Sequence, residues 1–246
     1  MNHFFAFKTL LAATVLFDTA DAHGFILSPR ARNYYASVAA VWDTTKATED
    51  DPEPEPSPRG LNRGGTAAQC GMIDNRNYDH PKNALGGPMK ANIQECYDEG
   101  SIIDLKVFLS AHHDGHFEFY ACPSEWGETP TEECFQAHPL EFVEDVLFNA
   151  PPDPNFPNRA YIPRQTTSGV GEFHYKYKLP TGLLGEFVLI QWIYFTANTC
   201  TPEGYENYAF PEGFGQDVGA AACPLPISGD GSEAPERVSW RYALYA

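Results

Sequence analysis

Ile103-Asp104-Leu105-Lys106-Val107-Phe108-Leu109-Ser110-Ala111 carries the two-residue period of a strand with one buried face. Ile103, Leu105, Val107, Leu109 and Ala111 share one side; Asp104, Lys106 and Ser110 share the other. Phe173, Tyr175 and Tyr177 alternate in the same way with His174, Lys176 and Lys178. So do Val238, Trp240, Tyr242 and Leu244 near the C-terminus. Phe187 to Phe195 (FVLIQWIYF) is almost wholly apolar, as a strand covered on both sides would be. Strands separated by Gly- and Pro-rich turns, with no helical period between them, predict an all-β fold, an antiparallel β-sandwich.

Outward from these strands the chain is loop-rich. The stretch 47–58 contains Glu49-Asp50-Asp51-Pro52-Glu53-Pro54-Glu55-Pro56, which reads as a solvated acidic, proline-rich excursion within a single domain covering 23–246. Residues 1–22 read as an export signal. Lys8 precedes an apolar run from Leu10 to Phe17 that is too short to span a bilayer, and Ala20-Asp21-Ala22 supplies a small-x-small cleavage pattern. A secreted, extracellular protein without a membrane segment, expected to be monomeric, follows. The six cysteines fit that compartment, and pairing neighbours in sequence predicts Cys70–Cys96, Cys122–Cys134 and Cys200–Cys223.

The formal charge is −17 over the full chain and −16 once Lys8, Asp18 and Asp21 leave with the signal. Such a chain repels phosphate backbones, so nucleic acid is not an expected partner. The charge also argues mildly against a polyanionic substrate and leaves a neutral solid polymer open.

Cleavage after Ala22 would make His23-Gly24 the new N-terminus. A terminal histidine offers an α-amine and Nδ1 that close a six-membered chelate on one metal ion. The amine, with a pKa of roughly 7.7–8.0, gives up its proton readily to a competing metal. One further imidazole would complete a planar three-nitrogen site, and tetragonal nitrogen ligation selects Cu(II). His112, His113 and His116 are the concentrated supply. Strand phase favours His113, which continues the apolar face, and places His112 on the Lys106 face. Asp114-Gly115 is a turn signal that puts His113 at a strand end, and small Ala111 on the same face leaves room beside a metal.

These features resemble a known family. His23-Gly24-x-x-x-x-Pro29-x-x-Arg32 is similar to the opening of lytic polysaccharide monooxygenases with a chitin-binding type-4 domain. Ala111-x-His113-x-Gly115-x-Phe117-Glu118-Phe119-x-x-Cys122-Pro123, Glu133-Cys134-Phe135-x-x-His138-Pro139-Leu140 and Gln191-Trp192-x-Tyr194 resemble the branch first described in insects and other invertebrates. The resemblance implies an immunoglobulin/fibronectin III-like sandwich with one copper ion held by His23 and His113 on a flat, substrate-facing end. It also implies an external electron donor, with dioxygen or hydrogen peroxide as co-substrate, and hydroxylation of the carbon beside a glycosidic bond. Chitin is the first expected substrate and cellulose the second. The family pattern expects an aromatic axial residue three positions before a late cysteine, where this chain has Ala220; Tyr208, Phe210 or Phe214 could stand in.

Gln191, the polar residue of an apolar strand, is a candidate to hydrogen-bond a bound oxygen species, the alternative being a buried amide satisfied by backbone. Tyr34, Tyr35 and Trp42 are candidates to stack on sugar rings, or else are tucked beneath the acidic excursion. Two rival functions remain open on the same fold: a non-catalytic chitin- or cellulose-binding module, and an extracellular copper-binding protein. No GxSxG context appears, and no carboxylate pair stands out for hydrolysis.

Overall fold

In a computed structural model of the chain, the described residues are 23–60, 68–198, 200–214, 221–223 and 240–245. The alternating segment forms β4 (Ile102–Ala111), and Ile103, Leu105, Val107 and Leu109 all turn inward. Its antiparallel neighbours are β1 (His23–Ser28) on one side and β8 (Gly171–Lys178) on the other; β6 (Glu141–Asp145) completes a four-stranded sheet in the order β1-β4-β8-β6. Across the sandwich, β5 (His116–Ser124) and β9 (Phe187–Phe195) form the centre of the order β10-β9-β5-β7, with β7 at Arg159–Tyr161 and β10 at Trp240–Tyr245. A two-stranded ribbon, β2 (Met72–Ile73) and β3 (Arg76–Asn77), lies in the long connection between β1 and β4. Among the described residues the only α-helices are short: α1 (Arg32–Val38), α2 (Glu132–Gln136) and α3 (Gln165–Ser168).

Phe117 sits fully buried where the inner faces meet. Its ring centroid lies 5.1 Å from both Trp192 and Tyr194 and 5.8 Å from Phe173 and Tyr175, all edge-on. Large rings in edge-to-face contact bury much apolar area, and each contributes on the order of 1.5–3 kcal/mol. The apolar run of β9 is covered on its outer side as well, where the long connection lies against it and Gln191 donates Nε2–H to the carbonyl of Gln69 at 2.8 Å. The C-terminal alternation becomes β10, paired with β9; Val238 lies outside the described residues.

Two expectations need correction. Cys122–Cys134 and Cys200–Cys223 are bonded, with Cα atoms 5.3 and 4.9 Å apart, but Cys70 and Cys96 form no disulfide with each other. Cys70 is buried and its Sγ accepts from Arg32 Nη1 at 3.7 Å, whereas Cys96 faces solvent, so the two thiols occupy different environments. The acidic excursion is only half solvated. Glu49 and Asp50 are exposed and pair with Lys90, but Glu55 is fully buried, accepting from Tyr78 Oη at 2.8 Å and from the Ser57 N–H at 2.8 Å. A carboxylate with two such donors can be buried where a bare one cannot.

Candidate metal centre

The β4 and β5 strands belong to different sheets, so the turn between them crosses from one side of the sandwich to the other. Asp114 (φ 53°) and Gly115 (φ 108°) make that crossing in the left-handed region. A Cβ on Gly115 would lie 1.8 Å from the Phe195 carbonyl oxygen, so only glycine fits. On the near side, β1 brings His23 opposite Ala111, two residues before His113. Gly24 lets β1 approach closely, since a Cβ there would stand 2.5 Å from the Phe108 carbonyl oxygen.

The three clustered histidines differ in what their ring nitrogens already do. His112 is buried: its Nδ1 accepts the Asp114 N–H at 3.0 Å and its Nε2 lies 3.1 Å from Ser168 Oγ. Strand phase placed it on the solvent-facing side; β4 ends at Ala111, the alternation breaks there, and His112 turns in against Phe173. His116 is buried between Tyr205 Oη (2.7 Å from Nδ1) and Glu118 Oε1 (3.3 Å from Nε2). Burial lowers both imidazoles to about 4, so both are neutral at ordinary pH.

His113 is different. Its N–H donates to Tyr194 Oη at 2.7 Å, its carbonyl accepts from the Ala197 N–H at 3.0 Å, and its Nδ1 is 3.1 Å from the Asn198 side-chain amide. Its Nε2 is shielded from solvent and has no hydrogen-bond partner. A half-turn of the Asn198 amide presents Oδ1 to Nδ1–H and fixes the tautomer whose lone pair is on Nε2, the form a metal requires. Among the described residues no three His, Cys, Asp or Glu side chains gather; a terminal amine at His23 would supply a third nitrogen. Two imidazoles and such an amine would be a donor set that fits copper, and the residue paired with His23, Ala111, is small enough to leave room beside them.

The remaining candidates separate. Gln191 faces Tyr120 of β5, four residues from the Phe195 end of β9, which is about 13 Å along a strand. Its Nε2–H is given to the Gln69 carbonyl, the backbone contact of the buried-glutamine alternative. Tyr34 stacks on Phe25 at 4.5 Å and belongs to the core, Tyr35 lies under the Arg30 guanidinium, and Trp42 is 57% exposed. Ala220 lies outside the described residues. Tyr208 stacks on Tyr161 at 3.9 Å and donates to the Pro151 carbonyl, Phe210 packs edge-on against Tyr161 and Tyr208, and Phe214 is buried in the cluster that includes Ala197. Sequence reading missed Asn198 and the Tyr194 hydroxyl. The latter sits inside the quoted Gln191-Trp192-x-Tyr194 motif, whereas nothing in the sequence marks Asn198.

A family described as lytic polysaccharide mono-oxygenase, cellulose-degrading, matches residues 23–214. No curated protein matches the chain. Among solved structures, a lytic polysaccharide monooxygenase AA15 from Thermobia domestica in the Cu(I) state has the same fold, with a TM-score of 0.55 at 20% identity over 91% of this chain and 97% of that one. A match that begins at His23 and runs through the crossing at His113 leaves one assignment: this chain belongs to the lytic polysaccharide monooxygenases, copper-dependent enzymes that cleave polysaccharides oxidatively.

Proposed function

We propose that residues 1–22 are removed on export and that the new amine and Nδ1 of His23, with Nε2 of His113, hold the single copper ion. The observation that carries this reading is the shielded, unpartnered Nε2 of His113 beside the start of β1. Copper bound there supplies the redox chemistry that, with electrons from an external donor and dioxygen or hydrogen peroxide, hydroxylates a carbon next to a glycosidic bond. The protein's own residues orient and tune. Asn198 holds the His113 ring by Nδ1, Tyr194 fixes its backbone, and small Ala111, paired with His23, would leave room beside the ion. The polymer is a neutral, insoluble β-linked solid, chitin or cellulose, because a chain of −16 once residues 1–22 are gone offers little attraction to a polyanion. The family's description favours the second of the two.

Copper titration by calorimetry decides the ligand set. The form beginning at His23 should bind one ion tightly, whereas a form with one extra N-terminal residue and His113→Ala should both bind far more weakly. Equal binding by the extended form would remove His23 as a chelating terminus. Incubating the copper-loaded protein and a reductant with chitin and with cellulose, followed by mass spectrometry, tests the substrate. Oxidised oligosaccharides are expected from at least one solid, and their absence from both would overturn the neutral-polymer reading.

A further inference from the structure

The strands of the second sheet run from one pole of the molecule to the other. His116 pairs with Phe195 at the metal end and Ser124 pairs with Phe187 at the far end, eight steps or about 26 Å away. At that far pole two cavities adjoin. The larger, about 500 Å³, is lined by five of the chain's 16 Lys and Arg residues, Arg30, Arg32, Arg76, Lys82 and Lys90, against two carboxylates, Glu53 and Asp74. That is a cationic concentration in a protein of formal charge −17. The smaller, about 330 Å³, is walled by Trp126 and Phe187, whose centroids are 5.9 Å apart, and by Asp79, Glu125 and Glu128. The two share Arg32, His80, Pro81, Lys82 and Met89.

Not every cation there is available. Arg76 pairs with Glu53 and Glu55, and Lys90 with Glu49 and Asp50. Arg30 donates Nε–H to Gln94 at 2.9 Å and lies 5.3 Å over the Tyr35 ring, which holds it in place; Lys82 is exposed. Among the described residues, neither Arg30 nor Lys82 has a carboxylate within ion-pair distance. One chamber is therefore built for a negative charge. The other offers an aromatic wall and, in Glu125 and Glu128, carboxylates that can accept hydroxyl hydrogens, the usual surroundings of a neutral sugar ring; Asp79 is already taken by the Gln69 and Cys70 N–H groups.

We infer that this distal cleft binds an acidic oligosaccharide fragment, a short sugar chain whose carboxylate is held by Arg30 and Lys82 and whose neighbouring ring lies on Trp126 and Phe187. Cavities of this size suit a small ligand of one or two rings. The site needs neither His23 nor copper, so it stands or falls apart from the metal centre. Such a carboxylate arises either from a uronic acid unit or from the oxidised end of a chain cut beside its anomeric carbon.

Calorimetric titration of the metal-free secreted form distinguishes these sources, with digalacturonic acid for the first, cellobionic acid for the second and cellobiose as the neutral control. At least one acid should bind with 1:1 stoichiometry, about tenfold or more tighter than cellobiose, as expected from charge-assisted hydrogen bonds, and less tightly as salt rises. Arg30→Glu with Lys82→Glu should abolish that preference, and Trp126→Ala should weaken every ligand, with melting temperatures unchanged. Which acid binds identifies the source. Equal binding of cellobiose, no binding of either acid, or acid binding indifferent to the charge reversal would overturn the proposal.

Discussion

His112, His113 and His116 lie within five positions of one another, yet only His113 leaves a ring nitrogen open, and the difference is made by what each ring meets, from two residues away to more than eighty. Ser168 and the Asp114 N–H occupy His112, Tyr205 and Glu118 occupy His116, and Asn198 takes the Nδ1 side of His113. His112→Ala should therefore leave copper affinity nearly intact while lowering stability by roughly 2–4 kcal/mol, through a cavity and two stranded hydrogen-bonding groups. Copper titration paired with thermal melts checks both halves; lost copper binding without lost stability would make His112 the ligand. Asn198→Ala should cost about 10–100-fold in copper affinity, the usual effect of removing the group that orients a ligating imidazole. Asn198→Asp, which still accepts from Nδ1–H, should restore most of it. If alanine and aspartate behave alike, Asn198 does not set the tautomer.

Elements with a long period were legible in the sequence: β4, β8 and β9 lie where alternation or apolar continuity placed them, because each buries a face against the same core. What a period cannot show is where it stops. The alternation of β4 breaks at Ala111 because the chain must cross between sheets, and this turned His112 inward against expectation. Nor could composition show that Glu55 is buried, since its partner Tyr78 is 23 residues away, or that Cys70 and Cys96 do not meet. The pairing of β1 with β4 depends on one residue whose reason was half visible. Gly24 follows the terminal histidine, and the structure shows that any side chain there meets the Phe108 carbonyl and Leu109. Backbone cannot yield as a flexible side chain can, so Gly24→Ala should push β1 off β4 and cost roughly 2–4 kcal/mol. It should also weaken copper binding although both histidines remain. Unchanged copper affinity in a folded Gly24→Ala protein would show that the position of β1 is not what brings His23 to His113.

Across the whole molecule, the two poles are joined by a sandwich whose second sheet encloses an ionic network. His116 is fully buried beside Glu118, Tyr205 and Arg159, with Asp153 and Tyr161 beyond them. Burial pushes His116 from its ordinary 6.5 down to about 4. Burial would raise Glu118, but hydrogen bonds from His116 and Tyr120 and the charge of Arg159 outweigh it and hold the carboxylate at about 2. Between pH 6.5 and 4 the unfolded chain binds a proton at this histidine that the folded chain refuses, so stability must fall as pH falls through that window. Glu118 acts in the same direction at lower pH: its contribution is present above about 4.5 and is lost as pH drops towards 2. Acid unfolding should therefore begin below pH 6.5, with His116 alone responsible for up to about 3 kcal/mol by pH 4. His116→Gln, which can still bond Tyr205, removes that titration. Urea unfolding at pH 7 and at pH 4.5 should show a clearly smaller pH dependence in the variant than in the unaltered protein. The same dependence in both would mean that His116 is already protonated in the fold, with Glu118 as its charged partner.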